Sequence, residues 1–113
     1  MSSIKLFDEM QIRVVWSTTK QKWYFALSDV VIALTNTVNV KQYIKYMKKR
    51  DKELAQNWYQ FVTLMPVETP GGLQNMKCAS KDQLLRIIQL VRSSKKQKFK
   101  IWLAKVSSQK KNK

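Results

Sequence analysis

The first third of the chain contains two apolar runs with a polar stretch between them. Residues 11–16 and 22–27 are rich in β-branched and aromatic side chains, whereas residues 17–21 are polar. Runs of this kind on either side of a short polar loop predict a β-hairpin. A short helix ending near Thr35 is predicted next, with Ser28 as its N-cap and Asp29 in its first turn, at the positive end of the helix dipole.

A longer helix is predicted to start after Asn39, with Gln42 three residues later in a capping-box arrangement. Its apolar stripe recurs at i, i+3, i+4 and i+7 and consists of Val40, Tyr43, Ile44 and Met47. A basic stripe elsewhere on the same helix consists of Lys41, Lys45, Lys48 and Lys52. Lys49 and Arg50 add positive charge near the C-terminal end, where the helix dipole favours cations.

The next segment predicts a second hairpin. Residues 59–68 are largely apolar, but Pro66 restricts them to an edge strand or a strand that bends. Residues 69–72 (Thr-Pro-Gly-Gly) are typical of a turn, and residues 73–78 would form the return strand.

Two further helices are predicted after this hairpin, each from a capping-box pattern and an apolar face. Ser80 with Gln83 marks the start of the first, and Ser94 with Gln97 marks the start of the second. The apolar face of the first consists of Leu84, Leu85, Ile88 and Val91. The face of the second consists of Phe99, Trp102, Leu103 and Val106.

The 113 residues therefore predict one small α+β domain with β-hairpins and about four helices. The order is hairpin, helix, helix, hairpin, helix, helix. We assign residues 1–106 to the domain and predict that residues 107–113 form a disordered basic tail.

Charge narrows the class of partner. The chain has 22 Lys and Arg against 7 Asp and Glu, which gives a formal net charge of +15. A body with this charge attracts polyanions, and nucleic acid is the partner that such a balance favours. A membrane is disfavoured, because no stretch approaches the roughly 20 apolar residues that span a bilayer and the Phe99, Trp102 and Leu103 face of the last basic helix is typical of core packing. Steering onto an acidic partner protein is the alternative that charge alone leaves open.

The positive charge is concentrated in two clusters. The first consists of Lys41, Lys45, Lys48, Lys49, Arg50 and Lys52. The second follows Asp82, the last acid in the chain, and consists of Arg86, Arg92, Lys95, Lys96, Lys98, Lys100, Lys105 and the tail lysines. A solvated helix face ordinarily mixes Glu with Lys at i, i+4, but neither cluster contains a Glu for such pairs. Their lysines therefore repel one another, and a bound polyanion would relieve that repulsion.

The residue types that most enzymes use for catalysis are scarce. The chain has no histidine, and its single cysteine, Cys78, lies in a predicted strand, where we expect a buried structural thiol. The spacing of the acids gives no carboxylate dyad, and no phosphate-binding or dinucleotide-binding glycine pattern occurs. We therefore predict no catalytic residues, no metal, no cofactor and no enzymatic activity. A lone cysteine favours a reducing compartment, hence the cytoplasm, or the nucleus of a host if the protein comes from a eukaryotic virus.

Several runs resemble the BRO N-terminal (Bro-N) domain of phage and prophage antirepressor-like proteins. The opening runs are Ile12-Arg13-Val14-Val15-Trp16, Trp23-Tyr24-Phe25, Asp29-Val30-Val31 and Leu34-Thr35. The closing runs are Leu84-Leu85-Arg86-Ile87-Ile88-Gln89 and Phe99-Lys100-x-Trp102-Leu103-Ala104-x-Val106. The resemblance spans about residues 4–106 and implies an α+β domain in a DNA-binding or transcription-regulating protein.

The resulting hypothesis is binding of double-stranded DNA, mainly through phosphate contacts. The nucleic-acid-binding residues that we predict are Lys41, Lys45, Lys48, Lys49, Arg50, Lys52, Arg92, Lys95, Lys96 and Lys98. Arg50, Gln42 and Asn39 are the candidates for contacts to base edges.

Two other functions stay open at this stage. One is a protein-interaction module that captures a repressor or another acidic partner. The other is a binder of single strands or RNA, in which Trp58 and Tyr59 stack on bases. The residues leave the oligomeric state open, including a homo-oligomer.

Overall fold

The structure, a computed structural model, describes residues 2–109, and in that range one five-stranded antiparallel sheet packs against six helices. The strands are β1 (Ser2–Phe7), β2 (Met10–Ser17), β3 (Lys22–Ala26), β4 (Thr63–Thr69) and β5 (Gly72–Ser80). The helices are α1 (Leu27–Thr35), α2 (Val40–Arg50), α3 (Lys52–Gln56), α4 (Trp58–Phe61), α5 (Lys81–Ile88) and α6 (Lys96–Ser107). The predicted α+β class is confirmed, with two more helices than the four expected.

The predicted first hairpin is confirmed as β2 and β3, which pair from Val14 opposite Phe25 to Ser17 opposite Lys22. The sequence did not predict β1, which pairs with β2 and forms an edge of the sheet. A two-residue turn joins β1 to β2, and both of its residues have positive φ (Asp8 51°, Glu9 67°). This geometry is that of a type I′ turn, whose usual sequence signal is Asn-Gly or Asp-Gly.

The helix predicted to end at Thr35 is confirmed as α1, but Ser28 as its N-cap is wrong. α1 begins at Leu27, directly after β3, and no side chain caps it. Asp29 lies in the first turn and binds Arg13 of β2, accepting hydrogen bonds from the Arg13 backbone N–H, Nε and Nη2 at 2.8–2.9 Å. This ion pair fixes α1 against the sheet and raises the pKa of Arg13.

The second hairpin is confirmed with a later start than predicted. Residues 58–61 form the short helix α4, and β4 begins at Thr63. β4 is an edge strand, so Pro66 lies where a missing backbone N–H is tolerated. The turn at residues 69–72 is confirmed, and Gly72 adopts a φ of 106° there.

The last two helices and one of their two predicted caps are confirmed. α5 ends at Ile88, so Val91 of its predicted apolar face is buried in the loop that follows the helix. At α5, Gln83 Oε1 accepts the backbone N–H of Ser80 at 2.9 Å in a capping box. At α6 the predicted Ser94 cap is wrong, because Lys95 precedes the helix and no side chain caps it.

Two indole hydrogen bonds join the sheet to the middle of α6 and to the residues that follow it. Trp102 Nε1 donates to the carbonyl of Leu6 at 2.7 Å, and Trp23 Nε1 donates to the carbonyl of Gln109 at 2.6 Å. Ser107 is the last residue of α6, so the segment predicted as a tail begins within this helix. Residues 110–113 of that predicted tail lie outside the described residues.

The core lies on both faces of the sheet. The larger cluster joins β1, β2 and β3 to the helices, and its largest fully buried side chains include Phe7, Phe25 and Phe99. A smaller cluster consists of Val15, Tyr24, Val67 and Cys78, with Met65 and Met76 packed against it. Since β4 and β5 contribute to the smaller cluster, the second hairpin covers the sheet face that the larger cluster does not use.

The type I′ turn yields a stability prediction. Glu9→Gly should raise the free energy of unfolding, because glycine adopts positive φ without a Cβ clash. Glu9→Ala removes the same carboxylate but keeps the Cβ, so it is the matched control. The glycine variant should be more stable than the alanine variant by about 1 kcal/mol in urea denaturation. Equal stability of the two variants would show that backbone conformation at residue 9 costs nothing.

Candidate nucleic-acid interface

α2 carries the densest positive charge of the described residues. Asn39 caps the helix as predicted, its Oδ1 accepting the backbone N–H of Gln42 at 3.0 Å. In a complete capping box, the Gln42 side chain would accept the backbone N–H of Asn39. Here that N–H donates to Thr37 Oγ1 instead. The apolar stripe faces the core, with Met47 fully buried. The lysines on the opposite side, Lys41, Lys45 and Lys49, are exposed.

Lys52 does not belong to this helix, so the predicted stripe of four lysines is wrong at its last member. Asp51 ends α2, and its Oδ1 accepts the backbone N–H of Leu54 to start α3 at Lys52. Asp51 and Glu53 also bind Arg86 of α5, at 3.4 Å and 2.7 Å. These bonds hold the junction of α2 and α3 against α5.

The loop after α5 binds α2 through two hydrogen bonds. Arg50 Nη2 donates to the carbonyl of Leu90 at 2.6 Å, and the Arg92 backbone N–H donates to the hydroxyl of Tyr43 at 3.0 Å. Arg50 belongs to the first predicted cluster and Arg92 to the second. The fold therefore brings together two basic segments about 40 residues apart in sequence.

Two adjoining concavities lie along this contact, and we call them together the cationic groove. The larger, of about 470 Å³, is lined by Thr35, Tyr43, Tyr46, Lys49, Arg50 and Arg92. The smaller, of about 350 Å³, is lined by Arg50, Gln89, Leu90, Val91, Arg92, Ser93 and Lys96. No carboxylate lines either concavity among residues 2–109, so the four cations of the groove face one another without an acid.

Lys95 and Lys98 differ from the other predicted contacts because an acid neutralises part of their charge. Asp8, in the turn between β1 and β2, lies 3.0 Å from the Nζ of each lysine. Hydrogen bonds from Lys98 and Lys95 lower the pKa of Asp8. The expectation that no acid offsets the second cluster is therefore wrong for Lys95, Lys98 and Arg86.

Lys48 points away from the cationic groove. Its Nζ lies 4.4 Å from the centre of the Trp58 ring, and burial lowers the pKa of Lys48, with the charge of Lys77 adding to the effect. Lys77 belongs to β5 and was not predicted as part of the basic surface. It lines a third cleft with Lys41, whose apolar lining includes Ile44 and Met76.

The two aromatic side chains proposed for base stacking have different environments. Trp58 packs against the core, and its buried Nε1 has no hydrogen-bond partner among the described residues. Tyr59 is 73% exposed. Tyr46, which was not predicted as a contact, is 53% exposed and lies in the cationic groove beside Lys49. The available signal was its position one residue after Lys45 and three residues before Lys49.

Two of the three candidates for base-edge contacts have side chains occupied within the fold. Asn39 caps α2 and Arg50 binds Leu90, whereas Gln42 is exposed.

Cys78 is buried as predicted, and burial raises the pKa of its thiol to about 12. No group of three His, Cys, Asp or Glu side chains in the described part of the chain could hold a metal ion. No described helix is long and apolar enough to cross a membrane.

The ion pairs predict a loss of stability in acid. The pKa values of Asp8 and Asp51 are lowered from 3.8, for Asp8 by Lys98 and Lys95 and for Asp51 first by the Leu54 N–H. Because the pKa is lower in the folded protein, the unfolded chain binds more protons in acid than the folded chain does. The contribution of both groups is therefore present above pH 3.8 and is lost as the pH falls through their lowered pKa values.

Asp8→Asn should weaken this acid dependence, measured as the urea midpoint from about pH 5 to about pH 2. Asparagine tolerates the positive φ at residue 8, so the change isolates the charge. Glu9→Gln makes the same charge change one residue away, at a carboxylate without an ion pair to any described residue. An equal effect of the two variants would show that net charge, not the Asp8 pairs, sets the acid dependence.

Comparison with known protein families gives one match. A family model described as "BRO family, N-terminal domain" matches residues 11–109, which run from β2 through α6. No curated protein and no solved structure matches the chain. The resemblance inferred from the sequence is confirmed. Since the match covers nearly the whole chain, the chain belongs to the BRO family and carries its N-terminal domain.

Proposed function

We propose that this domain binds double-stranded DNA through phosphate contacts from the exposed face of α2 and the cationic groove. The observation that carries the proposal is the contact of the loop after α5 with α2. Arg92 thereby lies beside Lys49 and Arg50 in the larger concavity, and Lys96 lies beside Arg50 and Arg92 in the smaller one, with no carboxylate among the described lining residues. The BRO N-terminal family is associated with phage antirepressor-like DNA-binding regulators, which agrees with this reading.

The contact surface is narrower than the set predicted from the sequence. Its members are exposed or line the groove, and they are Lys41, Lys45, Lys49, Arg50, Arg92 and Lys96. Lys48 packs over Trp58, Lys52 starts α3, and Asp8 holds Lys95 and Lys98. Duplex DNA repeats one charge per about 1.7 Å of its axis, so a surface of several unpaired cations can meet several phosphates at once.

A salt titration of binding to a random duplex tests this proposal. If about five to seven phosphates are neutralised, the slope of log K against log salt should be about −4.5 to −6. Replacing Lys41, Lys45 and Lys49 together by Gln should weaken binding and make the slope shallower by about 2 to 3. Lys48 is left in place because its replacement would also remove a packing contact.

The matched control replaces Lys20, Lys81 and Lys105 by Gln. These lysines are also exposed, and the change lowers the net charge equally, from +15 to +12. Lys20 belongs to the β2–β3 loop and Lys81 to the start of α5, and Lys105 lies about 14 Å along α6 from Lys96 of the groove. Equal losses in the two triple variants, or a slope near zero for the unchanged protein, would overturn the proposed surface.

One observation favours a second function, the capture of a repressor or another acidic partner. The cleft of about 440 Å³ between α2 and β5 has an apolar lining of Leu27, Val40, Ile44 and Met76, with Lys41 and Lys77 beside them. Val38, at this cleft, is fully exposed. An apolar segment with carboxylates on both sides would complement this surface.

Excess duplex separates the two functions. It should abolish any association that DNA mediates and leave a direct protein complex intact. Val38→Asn should weaken a complex held by the apolar cleft while leaving the salt slope of duplex binding unchanged, because it changes no charge. A complex that survives Val38→Asn but dissolves with excess duplex would exclude this second function.

A further inference from the structure

The larger concavity of the cationic groove combines aromatic rings with cations. Tyr46 contributes a ring that is 53% exposed, and Lys49, Arg50 and Arg92 contribute positive charge. A surface that only follows a phosphate backbone needs the cations, not the ring. The volume of about 470 Å³ lies within the range of roughly 300–1,000 Å³ in which small-molecule sites fall.

Hydrogen-bond donors in this concavity are left over after the internal bonds are counted. The Tyr43 hydroxyl oxygen accepts the Arg92 N–H, and its own hydrogen forms no bond to a described residue. Arg50 donates to Leu90 through Nη2, which uses part of a guanidinium that has five N–H donors. Thr35 is satisfied, since its Oγ1 donates to the Val31 carbonyl and accepts the Thr37 N–H.

A matching ligand needs an anionic group that accepts several hydrogen bonds and a planar ring that can stack. A phosphate meets the first requirement, and guanidinium groups bind it through paired N–H donors. A nucleobase meets the second, because tyrosine stacks on any base through its π-face. Both groups occur a few ångströms apart in one nucleotide.

We infer that the larger concavity binds a single nucleotide, with its phosphate at Arg50, Arg92 and Lys49 and its base against Tyr46. The nucleotide can come from two sources with the same chemistry, a free nucleoside monophosphate or an unpaired nucleotide of a DNA strand. For a nucleotide of a DNA strand, this inference rests on the proposed function. For a free nucleoside monophosphate, it does not depend on that function.

Amide chemical shifts of the full 113-residue chain, labelled with ¹⁵N, test the inference. Three probes are titrated separately: thymidine monophosphate, thymidine and inorganic phosphate. The monophosphate should shift the amides of residues 43–50 and 90–93 and should bind roughly 5- to 150-fold more tightly than phosphate, the range expected for one stacked base. The Arg92 amide is the direct reporter, because its hydrogen is bonded to Tyr43.

Tyr46→Ala should remove the preference for the monophosphate over phosphate, and Tyr46→Phe should keep it. The exposure of Tyr46 makes both variants compatible with folding, which the dispersion of the amide signals checks. Tyr59→Ala is the matched control, since Tyr59 is an exposed tyrosine that does not line the groove. Equal affinities for monophosphate and phosphate in the unchanged protein, or a preference that survives Tyr46→Ala, would overturn the inference.

A pair of duplexes identifies the source of the nucleotide. One is fully paired and the other carries one extrahelical thymidine. Tighter binding of the bulged duplex that depends on Tyr46 supports a strand nucleotide, and binding of the free monophosphate alone supports a free one. The fully paired duplex also separates the two proposals. If the protein binds this duplex with a steep salt slope but does not prefer the monophosphate over phosphate, only the nucleotide site is overturned. If it prefers the monophosphate but binds the duplex with a slope near zero, only the duplex surface is overturned.

Discussion

This protein has seven side-chain carboxylates and 22 cationic side chains, and the placement of the carboxylates determines which positive charges have no ion-pair partner. Three sets of ion pairs use acids to join segments that are far apart in sequence. Asp29 holds Arg13 across 16 residues, Asp51 and Glu53 hold Arg86 across more than 30, and Asp8 holds Lys98 across 90. These acids therefore act as cross-links between elements. They do not act as local neutralisers of the lysines on α2.

The groove between α2 and the loop after α5 follows from this distribution. Its cations approach one another because Tyr43 and Arg50 bind the loop backbone, and burial of Met47 and its neighbours holds α2 in place. The resulting repulsion lowers the stability of the native state. A polyanion that binds only this state offsets that repulsion and stabilises the fold by mass action. Under the proposed function, the stability of the fold and the binding of DNA would therefore depend on the same few side chains.

The sequence was sufficient for the features that depend on local periodicity. The apolar stripes of α2, α5 and α6 and the first hairpin were predicted because their signals lie within one or two turns of chain. Features that depend on distant partners were missed. The end of α2 at Asp51 follows from a cap that also binds Arg86, and the neutralisation of Lys95 comes from Asp8 at the other end of the chain. The bond between Tyr43 and Arg92 uses a backbone N–H, which leaves no mark in the residue types.

The second hairpin is attached to the rest of the sheet by a short ladder. β5 pairs with β3 through three residue pairs, Tyr24–Ser80, Phe25–Ala79 and Ala26–Cys78, whereas its pairing with β4 extends over seven. Packing also holds the hairpin, since Val67 and Cys78 contact Val15 and Tyr24, and Ala79 belongs to the larger core. Lys77 lies on the hairpin, and Lys41 lies on α2 across the apolar cleft. A movement of the hairpin relative to α2 would therefore change both the width of this cleft and the spacing of its two lysines.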